Sequence, residues 1–340
     1  MAIKRIFGVL LGALLCWSAW ADNIELNPSH PERYVVVKGD TLWDISARFL
    51  QTPWRWPDIW QANEQIANPH LIYPGDIVEL SFVDGQPRLS VKRGGGKLSP
   101  SIRRSSLDDA IPMVPIGAID AFLNKPRVMT QEEYDSAPYI VAFSDEHILG
   151  STGYKAYVRG LAAGAAEGYS IVRQGEEYFD GETGESLGFE SVFIAESEVK
   201  QLADVTTVML SKTNREVRKA DRLLPAKEGV VVQNYYPHAP NTDIRGHIVG
   251  VVDGVSQVAQ YDVVVIDRGA RDGVEEGHVL TVDHAGETIR DVVIGDGAEV
   301  TLPDEEAGTL MVFRVFERVS YGLVMENKRV MHRLDVVHTP

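Results

Sequence analysis

A glycine signature, Gly-x3-Gly-x2-Glu-Gly, occurs twice in the C-terminal half of this chain and limits its fold more than any other feature. Gly160, Gly164, Glu167 and Gly168 recur at a constant offset as Gly269, Gly273, Glu276 and Gly277. Strand-like residues precede each copy (154–158 and 263–266) and follow it (169–172 and 278–282). Glycines at this spacing suit a tight turn whose backbone needs positive φ. A second echo relates 208–225 to 323–340, with Asp221 and Asp335 each preceding a short apolar pair. Around these blocks, β-branched and aromatic runs such as Tyr139-Ile140-Val141-Ala142-Phe143 and Ile248-Val249-Gly250-Val251-Val252 alternate with Gly and Asp. Short runs of this kind indicate an all-β region. We therefore expect two related small β-domains of barrel type, over residues 111–240 and 241–340. A phosphate-cradling reading fails, because a P-loop needs Lys-Ser/Thr after its last glycine. Here Tyr169 and His278 stand there instead.

The N-terminus has a different character. Lys4 and Arg5 precede an apolar run from Ile6 to Trp17, and Ala19-Trp20-Ala21 is followed by the polar Asp22-Asn23. Charge, apolar stretch and small-x-small site form the pattern of a secretory signal peptide over residues 1–21. The run is shorter than the roughly 20 residues a spanning helix needs. The expectation is an exported chain, periplasmic and wall-associated, with no transmembrane span after cleavage. Cys16, the only cysteine, lies in that run behind Leu14 and Leu15, which do not suit a lipidation site. A mature chain then has no disulfide, thiol nucleophile or thiolate metal site. Losing Lys4 and Arg5 with the leader takes the formal net charge from -16 to -18. Such acidity opposes both sequence-independent nucleic-acid binding and docking on anionic membranes.

Between these regions lies a compact segment, 32–82, and then 83–110, where Gly94-Gly95-Gly96, Ser99-Pro100-Ser101 and a basic cluster suggest a flexible linker. In the compact segment Tyr34-Val35-Val36-Val37 reads as a strand. Thr41 is placed to cap a helix beginning at Leu42, with Asp44 completing a capping box. Pro57 opens a second helix carrying Ile59, Trp60 and Ala62, and Ile77-Val78-Glu79-Leu80 is a closing strand. Trp43, Trp54, Trp56 and Trp60 are concentrated here, giving a small unit the aromatic area its core needs.

Residues Tyr34-Val35-Val36-Val37-Lys38-Gly39-Asp40-Thr41-Leu42-Trp43-Asp44-Ile45-Ser46, then Trp60-Gln61-Ala62-Asn63 and Asn68-Pro69-His70-Leu71-Ile72-Tyr73-Pro74-Gly75-Asp76, closely resemble the LysM family. The resemblance implies a βααβ module that recognises peptidoglycan or other N-acetylglucosamine oligomers in a shallow groove between two loops. On this chain one wall would be Gly39, Asp40, Thr41 and Leu42. The other would be Asn68, Pro69, His70, Leu71, Ile72 and Tyr73. Backbone amides with Asp40 or Thr41 would bond acetamide and hydroxyl groups, while Leu42, Leu71 and Ile72 would meet the methyl and sugar face. The fold class expected for the whole chain is α+β.

Nothing in the remainder assembles a catalytic set. His147, His238, His247, His278, His284, His332 and His338 are scattered in sequence without a His-Glu-x-x-His pattern, so no metal or cofactor is expected. Glu176, Glu177, Asp180, Glu182 and Glu185 are clustered, but Gly181-Glu182-Thr183-Gly184 reads as a solvated hairpin tip. A glycosidase would need two carboxylates held about 5–10 Å apart. The expected function is non-catalytic glycan binding, with the β-domains contacting an envelope protein or organising the envelope. A muramidase-like wall glycosidase and a structural component of a tail or secretion apparatus are the alternatives.

Overall fold

The computed structural model describes residues 24–60, 72–92, 111–124, 127–162, 164, 166–226, 235–252, 258–291, 293 and 298–340. The signal-peptide reading of residues 1–21 lies outside them. Among the described residues no helix is long and apolar enough to cross a membrane.

The N-terminal module begins with strand β1 (Arg33–Val35) and helix α1 (Leu42–Phe49). The expected capping box is present: Asp44 N–H donates to Thr41 Oγ1 at 3.1 Å, and Thr41 N–H donates to Asp44 Oδ2 at 3.3 Å. Two orphan donors of the helix start are thereby satisfied reciprocally. Ile45 and Phe49, on the inner stripe of the helix, are fully buried. A single turn at Pro53–Arg55 leads into helix α2 (Trp56–Trp60), so the Trp-Arg-Trp-Pro insertion is itself helical. Trp56 and Trp60 pack edge to face with ring centroids 6.0 Å apart, and Trp43 is buried with them. Strand β2 (Ile77–Val83) pairs antiparallel with β1, setting Tyr34 opposite Val78.

The region expected to be linker starts with structure. Strand β3 (Gln86–Lys92) pairs with β2 along its whole length, from Ile77 opposite Lys92 to Val83 opposite Gln86. Asp84 (φ 52°) and Gly85 (φ 79°) make the hairpin turn between them. Alternation in β3 buries Leu89 and Val91 on the module's core. The sheet is therefore three-stranded, ordered β1-β2-β3, and the βααβ expectation gains a strand.

Helix α3 (Ile116–Asn124), strand β4 (Arg127–Met129) and helix α4 (Gln131–Ser136) bridge to the β-rich half. A seven-stranded sheet uses β4 with β5 (Tyr139–Phe143), β6 (Lys155–Arg159), β7 (Gly168–Phe179), β8 (Ser186–Gln201), β9 (Thr206–Thr213) and β10 (Arg222–Pro225). Because β8 also pairs with β9 and β10 with β5, strands β5 to β10 form a ring, ordered β5-β6-β9-β8-β7-β10. The following strands close a barrel: β11 (Arg245–Val251), β12 (Val263–Ile266), β13 (Val279–His284), β16 (Glu305–Val315), β17 (Ser320–Asn327) and β18 (Val336–His338). Their order, β11-β12-β17-β16-β13-β18, matches that of the ring position for position. A side hairpin, β14 (Thr288–Arg290) with β15 (Glu299–Thr301), is inserted between β13 and β16. Gly160, Gly164, Gly273 and Gly277 have positive φ as expected. Gly269 instead is extended at φ -134° and crowded, a Cβ there falling 2.5 Å from the Phe316 carbonyl oxygen.

The β7–β8 tip itself, residues 181–186, is exposed as expected, while Asp180 at its base docks on the barrel. Asp180 is 7% exposed and takes Arg268 Nη1 at 2.9 Å, while the Gly181 amide donates to Asp267 Oδ2 at 2.9 Å. Asp267, fully buried in the barrel, also accepts the His247 amide at 2.7 Å. Arg271 and Arg318 reach Glu185, and Arg333 reaches Glu176 at 2.6 Å. The hairpin of one ring is thus held on the wall of the other.

Candidate functional site

The first proposed wall is built by a turn and a helix start. Gly39 takes φ +101° in an exposed turn with open space where a Cβ would stand. Asp40 closes the turn: its Oδ2 accepts the Val37 amide at 2.9 Å and the Tyr34 hydroxyl at 3.0 Å. Burial, then the bond to Asp40, raise the Tyr34 pKa. Thr41 is 4% exposed and Leu42 1%, the first occupied in capping and the second in the core. From the second wall, Asn68, Pro69, His70 and Leu71 lie outside the described residues. Ile72 is fully buried and Tyr73 partly exposed, its amide donating to Asp76 Oδ2 at 3.1 Å.

Leu42, Trp43 and Ile72 are joined by a third piece of chain. Residues 111–114 run between them. The Leu42 amide donates to the Pro112 carbonyl at 3.0 Å and the Trp43 amide to the Met113 carbonyl at 3.1 Å. The Ile111 amide donates to the Ile72 carbonyl at 2.9 Å. Ile111, Met113 and Val114 are buried in the same core as Leu42, Trp43 and Ile72. All three first-turn amides of α1 are consequently satisfied within the chain, Leu42 and Trp43 by this strap and Asp44 by Thr41.

The core continues from the strap into the barrel, taking in Ile119 of α3 and Val263, Met311, Phe313 and Tyr321. Tyr261 crosses from the barrel to donate its hydroxyl to Asp44 Oδ1 at 3.0 Å. Burial and the Asp44 carboxylate push the Tyr261 pKa up to about 12. Arg314 of β16 donates to the Phe122 carbonyl of α3 at 2.7 Å. These contacts were invisible in the sequence, because each joins residues far apart in the chain.

Histidines that are scattered in sequence meet in two places. His238 and His278 lie edge to face 4.8 Å apart, with Glu275 beside them. The Glu275 amide donates to His278 Nδ1 at 3.1 Å, which in neutral imidazole leaves the proton on Nε2. Burial, then the neighbouring His238, lower the His278 pKa. His284 and His332 flank Asp335, whose oxygens accept the His332 amide at 2.7 Å and pair with His284 Nδ1 at 2.8 Å. In the first cluster the Glu275 amide occupies His278 Nδ1, whereas in the second His332 Nδ1 is buried and makes no hydrogen bond. Of the acids at the β7–β8 tip, Glu176, Asp180 and Glu185 meet arginines, and Glu177 accepts the Ser186 hydroxyl at 2.6 Å.

Residues 34–81 match the LysM domain family. The chain is thus a LysM-domain protein whose β-rich remainder lies outside the match. It is 36% identical over 62 residues to Uncharacterized protein YqbP of Bacillus subtilis (strain 168), an alignment covering 15% of this chain and 28% of the relative. The chain therefore spans little more than a quarter of the relative it matches. LysM domains are carbohydrate- and peptidoglycan-binding modules, not catalytic ones. The family match ends within β2, so β3 and the strap lie beyond it.

Proposed function

We propose that this chain is an exported, non-catalytic envelope protein that binds peptidoglycan or N-acetylglucosamine oligomers through its LysM module. The match over residues 34–81, with Asp40, Thr41 and Leu42 in the expected loop and helix start, carries this reading. The glycan contacts fall to Gly39, Asp40, Thr41, Leu42, Ile72 and Tyr73 among the described residues, and to Asn68, Pro69, His70 and Leu71 outside them. The mature chain works at the wall in the periplasm after losing residues 1–21. One module makes few sugar contacts, so repeated presentation along the wall raises its avidity.

The two β-domains, 111–240 and 241–340, are read as copies of one unit serving an envelope-protein partner. The common strand order supports that reading, as do the twin turns closed by Asp221 and Asp335. The glycosidase alternative loses support from the pairing of the β7–β8 acids with arginines. Sedimentation of the mature chain with insoluble peptidoglycan tests the proposal, a chain carrying Asp40→Ala and Tyr73→Ala serving as control. Retention of the parent above this control is expected. Equal recovery of both in the supernatant, or a cleared zone when the protein is run in a peptidoglycan gel, overturns it.

A further inference from the structure

The strap at residues 111–114 offers the LysM groove the same two kinds of bond that an N-acetyl group offers. An acetamide has a carbonyl that accepts and an N–H that donates. Across this groove the Pro112 and Met113 carbonyls accept from the Leu42 and Trp43 amides, and the Ile111 amide donates to the Ile72 carbonyl. The amides of Leu42 and Trp43 are helix-start donors with no partner inside the helix, the kind that attracts a carbonyl or an anion. Apolar contacts accompany the bonds, as a sugar's methyl and ring face would. Ile111 (6% exposed), Met113 (5%) and Val114 (1%) seal Leu42 and Ile72 from water.

We infer that the strap is an internal ligand of the LysM module, so that glycan binding requires its displacement. The inference rests on the glycan reading of the groove given above. A ligand and a tethered segment that need the same amides exclude each other. The apparent Kd then exceeds the intrinsic one by the inverse of the open fraction, about tenfold when one molecule in ten is open. The strap leads into α3, and α3 is tied to the barrel through the bond from Arg314 to Phe122. Displacement is therefore felt in the β-rich half. By linkage, a partner there that draws the strap away tightens glycan binding by the same factor.

The test uses the mature chain and two strap variants, Ile111→Ser/Met113→Ser and the milder Pro112→Gly, which keeps both apolar anchors if the first does not fold. Affinity for a chitooligosaccharide is measured by calorimetry, and exchange of the Leu42 and Trp43 amides is followed by NMR. Faster exchange at both amides together with about tenfold tighter binding is expected. Faster exchange with unchanged affinity overturns the inference while leaving the glycan reading intact. Exchange that neither variant alters shows that the strap is not seated, and overturns it too. If the amides are freed and no protein binds the sugar, the glycan reading falls and the competition falls with it.

Discussion

The LysM module and the β-rich half make the same turn from different residues. In the module, Val37-Lys38-Gly39-Asp40 and Tyr73-Pro74-Gly75-Asp76 each turn back through a glycine at positive φ. The closing Asp accepts the amide of the first residue, at 2.9 and 3.1 Å. In the β-rich half the same geometry occurs at Arg218–Asp221, Ala259–Asp262 and His332–Asp335, with that amide bond at 2.7 Å in each. The left-handed position there holds Ala220 (φ 71°), Tyr261 (φ 70°) and Leu334 (φ 73°). A side chain at such φ costs roughly 1–2 kcal/mol. The difference teaches what sets the turn: the Asp carboxylate defines the geometry, and glycine only removes its strain. At Tyr261 the strained residue has a second task, since its hydroxyl is the bond to Asp44 of the module.

The comparison breaks first at the aspartates. Asp221 is 2% exposed and holds Arg173 through two bonds, at 2.7 and 2.8 Å. Asp221→Ala leaves that guanidinium only its bond to the Glu216 carbonyl and opens the turn, and we expect a loss of about 3 kcal/mol in denaturant unfolding. Asp335 is as deeply buried, but its partner His284 has a side chain 41% exposed. Water can replace the lost carboxylate at His284, so Asp335→Ala should cost less, about 2 kcal/mol. Equal losses would show that the turn, and not the cationic partner, carries the difference.

Swapping the third residue sharpens the point. Gly39→Ala should destabilise by about 1 kcal/mol, since space is open and only the backbone objects. Leu334→Gly should stabilise by about 0.5 kcal/mol, because Leu334 is 55% exposed and loses little packing. Opposite signs in chemical denaturation would support the argument, and like signs would refute it.

The titration of Tyr261 adds an effect that is confined to alkali. Its folded pKa, about 12, lies above the ordinary value of 10.0. Neutral Tyr261 therefore favours the folded state fully below pH 10, and that contribution disappears as pH rises from 10 through 12. In Tyr261→Phe this part of the alkaline destabilisation should be missing when melting temperature is followed against pH.

Much of the module was legible because its signals are local. Thr41 and Asp44 sit three residues apart, the tryptophans crowd one short segment, and the helix stripe repeats at its own period. Strand β3 also had a local signal, Asp84-Gly85 between alternating apolar residues, the pattern of a two-residue hairpin turn. The glycine triplet that follows drew that stretch into the linker instead. The glycine blocks marked strands around the two rings, and the order in which those strands close could not be read from either copy alone. The strap, the docked hairpin base and the histidine pairs were hidden for another reason. Each depends on a partner from another part of the chain, so nothing in its own neighbourhood announces it. Asp267 shows the limit: in sequence it is one acid after a buried strand, and in the fold it receives Gly181 from the other ring.

That receiving carboxylate has a mechanical consequence. On the proposed reading, a chain held by glycan at one end and by a partner at the other would carry tension along its length. The hairpin reaching from the first ring to the second works as a cross-brace, transmitting a pull through the Asp267 bond and the arginine pairs around Asp180 and Glu185 as well as through the connecting chain. Loosening that brace would leave each ring folded and let the pair swing, changing the reach of the molecule without altering what either end holds.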